Sequence, residues 1–222
     1  MGILPIFMSK YKLAMFDMDG TLLQGRGIFI IAKKKGLIED LERVIMNKNM
    51  EFYKKSIEVA KLLKNHSKKE FLEIFRSIPL QKHVENVIKE LKKKGIRIAI
   101  ITDSYDFLAE DLKRRLMFDY VFANKLIFNG DTITGKLEIH NQDLRQDFIS
   151  NRVYSICKSC VLEDLAKDLG FKLDETIAIG DGIVDIGMIK KAGLGIAFNA
   201  SDTVNKHANI VTNDMRTILK YI

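Results

Sequence analysis

Tryptophan is absent from this 222-residue chain, and proline and cysteine occur only twice each. So little proline leaves no Pro-rich linker, and no internal repeat or low-complexity segment stands out. The two cysteines form a lone C-x-x-C, Cys157 to Cys160. A structural zinc site needs more ligands near such a pair, and none of the four histidines is spaced to supply one. A redox pair is the weaker reading of so short a motif. The expectation is two reduced thiols in a cytoplasmic protein. No apolar run approaches the length that crosses a bilayer, so no membrane partner is expected. Gly2–Phe7 is apolar but short, lacks a basic start and contains Pro5, so it does not read as a signal peptide. Ile6 stands where a myristoylation signal needs Ser or Thr. Residues 1–7 are expected to form a weakly ordered extension ahead of Met8.

What is present is a soluble globular balance, 47% apolar and 29% charged, in a chain long enough for one domain with an insertion or for two small domains. The net charge of +7 favours anionic ligands. The lysines are dispersed along helical stretches with no tryptophan among them, which disfavours nucleic acid as the partner and favours a solvated basic surface.

Short apolar β-rich runs alternate with helical patterns. Lys12–Phe16, Ile96–Ile101, Tyr120–Ala123, Thr176–Ile179 and Gly195–Phe198 are the strand candidates. Glu85–Lys94, Phe107–Leu116, Val161–Leu169 and Ile186–Ala192 are helix candidates between them. Alternation with short connections predicts an α/β fold, a Rossmann-like parallel sheet with its ligand edge at the strand C-termini. Residues 28–78 break the rhythm: Leu37, Ile38, Leu41, Val44 and Ile45 recur at helical spacing, as do Phe71, Leu72, Phe75 and Ile78. Ser67 and Glu70 fit a capping box, and Pro79 ends that helix. These 51 residues carry 12 basic and 7 acidic side chains, so much of the chain's excess charge lies here. Asn129-Gly130-Asp131 between apolar runs predicts a β-hairpin over Lys125–Ile139. The predicted organisation is a core of residues 1–25 and 80–222 and a helical cap of residues 26–79 inserted after the first strand.

The chemistry-bearing residues fall at strand C-termini or close by. Asp17 and Asp19 follow the first strand within Phe16-Asp17-Met18-Asp19-Gly20-Thr21-Leu22. Alternation alone would turn the two carboxylates to opposite faces, and a turn starting at Met18 or Asp19 would bring both to one pocket. Thr102 ends the second strand, and Asp181 follows Ile177-Ala178-Ile179-Gly180, with Asp185 four residues on. Lys158 precedes a helix. Each alone has a plain structural use as turn residue, cap or surface charge. Three carboxylates from two strands in one cleft would repel unless a hard cation sits among them, and oxygen-only ligands beside a phosphate suit magnesium, Mg2+.

On these residues the chain resembles the haloacid dehalogenase superfamily of phosphatases, in particular its phosphoserine phosphatase-like branch. Asp17-Met18-Asp19-Gly20-Thr21 resembles the first family motif, Thr102 the second, Lys158 the third and Gly180-Asp181-Gly182-x-x-Asp185 the fourth. Tyr120–Leu126 and Ile218–Ile222 also look like that branch. The resemblance implies that Asp17 is the nucleophile and that Asp19 is the general acid and base, lending its backbone carbonyl to the metal. It gives Thr102 a hydrogen bond to phosphate, Lys158 charge neutralisation, and Asp181 and Asp185 the metal. Asp103 and Arg26 join the substrate-binding group.

The departures lie in the substrate shell. Arg26 stands where the branch offers a Glu to the substrate amine, and Val59 aligns loosely with an Arg that grips the substrate carboxylate. Val184 replaces an Asn, and Thr102-Asp103-Ser104 replaces Ser-Gly-Gly. The expectation is a phosphatase acting on a small phosphorylated metabolite other than phosphoserine, with a more anionic leaving group facing Arg26. A phosphotransferase of the same superfamily is the first alternative, and a non-catalytic nucleic-acid or protein-binding module the second. A homodimer stays open.

Overall fold

The computed structural model describes residues 9–222, so the expected extension at residues 1–7 lies outside it. In chain order the elements are β1 (Leu13–Asp17), α1 (Gly27–Lys35), α2 (Ile38–Met46), α3 (Phe52–Leu62), α4 (Lys68–Arg76), α5 (Val84–Lys93), β2 (Arg97–Tyr105), α6 (Asp106–Leu116), β3 (Tyr120–Asn129) and β4 (Thr132–Glu138), then α7 (Lys158–Asp168), β5 (Thr176–Gly180), α8 (Ile186–Lys191), β6 (Leu194–Phe198), α9 (Asp202–Asn205) and β7 (Ile210–Thr212). The strands form one seven-stranded sheet in the order β4-β3-β2-β1-β5-β6-β7. Among the strands of the described residues, only the β3–β4 pair is antiparallel. β1 lies at the centre, with Asp17 in register with Ile101 of β2 and Phe16 with Ile179 of β5.

The central strands are apolar throughout because both sheet faces are covered. Period-two alternation sorts their side chains into two cores. Ala14, Phe16, Ile98, Ile100, Ile177 and Ile179 join Val87, Leu91, Leu108 and Leu112 of α5 and α6. Leu13, Met15, Ala99, Ile101 and Ala178 join Val161, Leu162 and Leu165 of α7 and Met188 of α8. This parity positions the site: Asp17 shares the face of Leu13 and Met15, which is the face packed by α7.

Four helices, α1 to α4, occupy residues 27–76; α2 and α4 fall on the two stretches whose spacing predicts a helix, and no such spacing predicts α1 or α3. Only half of the expected capping box forms. Ser67 Oγ accepts the Glu70 N–H at 3.2 Å, but the Glu70 carboxylate takes the Lys35 ammonium on α1 instead. A full charge is the stronger partner, so α4 is tied to α1 at the expense of its own reciprocal cap. The predicted hairpin is present, and Asp131 in its turn accepts from Ser67 Oγ and from the Lys69 N–H at 3.0 Å, fastening α4 to the sheet. Strand β7, only three residues long, lacks the run that a sequence pattern needs.

The expectation of free thiols is corrected. Cys157 and Cys160 are joined in a disulfide. Cys157 caps the start of α7 and Cys160 lies in its first turn, which sets their Cα atoms 5.2 Å apart, within bridging range.

Candidate active site

A cavity of about 290 Å³ opens between α1–α3 and the C-terminal edge of the sheet. Asp17, Asp19, Arg26, Asp103, Asp181 and Asp185 all line it. The chain reaches this arrangement by bending directly after β1. Met18 is fully buried and anchors the bend, and the Leu22 and Leu23 N–H groups both donate to its carbonyl. The bend cancels the alternation that would have separated Asp17 from Asp19. Gly20 follows at φ +87°, where a side chain is strained, and a Cβ there would lie 2.5 Å from Asp181 Oδ2. Close approach of this loop to β5 therefore requires glycine.

Asp17, Asp181 and Asp185 bring carboxylate oxygens within 4.8 Å of one another. Asp185 sits in the short turn after β5, where its Oδ2 accepts the N–H of Asp181 at 3.2 Å and of Gly182 at 2.8 Å. Lys158, the first residue of α7, is 2% exposed although it is a lysine. Its ammonium donates to Asp17 and to Asp185 Oδ1, the latter at 2.6 Å. Burial pulls this amine down, yet Asp17 and Asp185 hold it well above the usual lysine range. Burial raises Asp17 well above an ordinary carboxylate against the pull of Lys158, and the charges of Asp185 and Asp181 push the same way. Asp181 is raised by burial and by Asp185. One ammonium among three carboxylates leaves a net negative, oxygen-only pocket, and this donor set fits a hard divalent cation.

Asp19 stands apart from that cluster. Its Oδ1 accepts the Gly27 N–H at the start of α1, at 2.5 Å. Desolvation lifts its pKa to about 7; the Gly27 N–H lowers it and Asp103 raises it. A carboxyl balanced near neutrality can both give and take a proton. Thr102 is fully buried and its hydroxyl accepts the Ser104 N–H at 3.1 Å, while Asp103, Ser104 and Tyr105 are the β2 residues that line the cavity. Arg26 lines the cavity, and its charge lowers both Asp19 and Asp181. Among the described residues it has no ion-pair partner. Val59 and Val184 line the cavity as well.

Several supporting residues carried no signal in the sequence. Buried Asn124 donates to the Asp103 carbonyl at 2.7 Å and to Ser155 Oγ at 3.0 Å, holding the end of β2. Buried Asp147 accepts from Ser159 Oγ at 3.2 Å, beside Lys158, and packs so closely on Gly187 that a Cβ there would meet its carboxylate. Gln81 Nε2 donates to the Gly20 carbonyl at 3.0 Å. Each contact spans distant loops or strands.

Residues 14–190 match the haloacid dehalogenase-like hydrolase family. The chain is 34% identical to a phosphoserine phosphatase of Methanocaldococcus jannaschii over 96% of its own length and 98% of the relative. It is 30% identical to a phosphoserine phosphatase of Campylobacter jejuni, over 95% and 99% respectively. A solved structure described as a phospho-aspartyl intermediate analogue of phosphoserine phosphatase superposes with a TM-score of 0.80 at 33% identity, over 96% of this chain and 99% of that one.

Proposed function

The chain belongs to the haloacid dehalogenase-like hydrolases, and from that premise we propose that it is a magnesium-dependent phosphatase that hydrolyses a small phosphomonoester through a phosphorylated Asp17. The observation that carries this reading is the meeting of Asp17, Asp181 and Asp185 with Lys158 at the floor of a cavity that also holds Asp19. Residues 26–79 act as the cap, and residues 1–25 and 80–222 as the core.

Asp17, Asp181 and Asp185, with the Asp19 carbonyl, would hold magnesium. When bound, that ion supplies the positive charge that lets a carboxylate approach an anionic ester. An Asp17 oxygen attacks phosphorus while the ester P–O bond breaks. Asp19, near neutrality in its pKa, gives its proton to the departing alkoxide. Water then attacks phosphorus, loses a proton to the Asp19 carboxylate, and releases phosphate from Asp17. Lys158 offsets the charge on Asp17 and on the phosphoryl oxygens. Thr102 and the cavity-lining end of β2 at Asp103 are assigned to the phosphate.

The relatives named phosphoserine phosphatases offer one substrate. We assign this chain a different one, because the exposed Arg26, next to the Gly27 whose N–H binds Asp19, adds a cation to the cavity lining that disfavours a substrate ammonium. Like charges at about 4 Å repel by about 1 kcal/mol even in water. The cytoplasm is the assigned compartment, which cell fractionation checks.

The test is release of phosphate from a panel of phosphomonoesters with magnesium, with the native chain and with Asp17→Asn. Expected are turnover by the native chain, none by the variant, loss of turnover in excess chelator, and acid-stable trapping of label on Asp17. Label on another residue, or full turnover in chelator, overturns the reading. Transfer of the phosphoryl group to an added alcohol in preference to water would favour a phosphotransferase.

A further inference from the structure

The cavity is charged at its floor and apolar in its walls. Ile28 and Phe29 of α1, Ile45 of α2 and Phe52 and Val59 of α3 face into it from above. The polar groups of α3 that reach the same wall are already engaged. Lys55 Nζ donates to the Ile45 carbonyl at 2.6 Å, and Ser56 Oγ donates to Ser155 Oγ at 3.0 Å. Val59 is 6% exposed and packs with Leu41 and Ala32. Arg26 is exposed and lines the cavity just ahead of α1. The second cation that lines the cavity, Lys55, is engaged by the Ile45 carbonyl, and the wall of Ile28, Phe29, Ile45, Phe52 and Val59 itself offers an anionic leaving group no charge. A charged or polyhydroxylated body placed against those five side chains would lose its water and gain no partner from them; Ser104 Oγ, unpartnered among the described residues, lies on the β2 side of the cavity. An apolar body would gain by the same desolvation.

We infer that the leaving group is an apolar alcohol: the substrate is the phosphate monoester of an aliphatic or aromatic alcohol rather than of an amino acid or a sugar. The inference rests on the phosphatase reading above and names its substrate class. At about 30 Å³ per water-sized group, a cavity of about 290 Å³ holds the phosphoryl group and roughly six further heavy atoms.

The experiment uses the full chain with magnesium and measures kcat/KM for propyl, butyl, pentyl, hexyl and phenyl phosphate beside glycerol phosphate and phosphoserine. A methylene that leaves water for the wall raises kcat/KM about fourfold, so the series should climb from propyl to hexyl. Hexyl and phenyl phosphate should exceed glycerol phosphate and phosphoserine by at least tenfold. Ile45→Asn and Ile28→Asn, made separately, should each lower the hexyl-to-glycerol ratio at least fivefold. A ratio within one preparation does not depend on how much of a variant folds. Turnover with a flat or falling series, with phosphoserine or glycerol phosphate preferred, or with ratios unmoved by both variants overturns the substrate class and leaves the phosphatase reading standing. No phosphate release from any ester and no label on Asp17 overturn both.

Discussion

Replacing Lys158 by methionine removes a buried charge while nearly keeping its volume. In the native chain the ammonium touches Asp17 and Asp185, and its side chain is 1% exposed. Removing one partner of such a pair costs about 3–5 kcal/mol if the remaining carboxylate stays charged. The alternative is for a carboxyl to take up a proton. From an ordinary pKa near 4 that costs about 4 kcal/mol at pH 7 and about 1.5 kcal/mol at pH 5, at 1.36 kcal/mol per pH unit. At pH 7 the two routes are similar, and at pH 5 protonation is the cheaper. The sign follows. With Lys158 gone, folded Asp17 is still raised by burial, Asp185 and Asp181, so the folded variant binds a proton that the unfolded chain does not. The variant therefore gains stability relative to the native chain as pH falls. The native Lys158 is raised, stays charged in both states across this window and adds no slope. Urea unfolding in chelator at pH 7 and pH 5 should give a destabilisation of about 4 kcal/mol shrinking toward about 1.5 kcal/mol. With magnesium restored, kcat/KM should fall by about 10²–10³. A destabilisation below about 1 kcal/mol at pH 7, or one that does not change with pH, would refute the reasoning.

Gly20→Ala should lower magnesium affinity at least tenfold by calorimetry and destabilise the chain by about 1–3 kcal/mol, because φ is +87° and the new Cβ would displace Asp181. Asp131→Ala should loosen α4 from the hairpin and lower the melting temperature at neutral pH. Asp131 is held below the usual carboxylate range by the Ser67 hydroxyl and then by the Lys69 N–H, so its contribution is present above about pH 4 and lost as pH falls through the depressed value. Native and variant melting curves that stay equally far apart down to pH 2 would contradict this. Replacing Cys157 and Cys160 together by serine should cost about 2 kcal/mol in non-reducing urea titrations, the modest effect of closing a loop with a separation of 3.

Much of this protein is legible in its sequence because the signals are local. The β1, β2 and β5 runs are buried on both faces and read as unbroken apolar strands, so a covered parallel sheet follows from them alone. Asp17, Asp19, Asp181 and Asp185 sit within a few residues of those strand ends, and topology carries such positions to one edge. Of the helices of residues 27–76, α2 and α4 announce themselves by spacing, and α1 and α3 do not. Contacts between distant segments were decided only by the tertiary structure. Whether Asp17 and Asp19 share a pocket depends on the bend anchored by buried Met18. The separation of Asp19 from the three-carboxylate cluster depends on the Gly27 N–H, whose helix begins after a loop. Reach from Lys158 to Asp17 spans 141 residues and rests on the parity of β1 against the face that α7 covers. The bonds of Asn124 and Asp147, the closure of Cys157 on Cys160 and the apolar wall above Arg26 are of the same kind. A pattern of residue types sets which way a side chain leaves its own element. What it meets there is set by the packing of elements far apart in the chain.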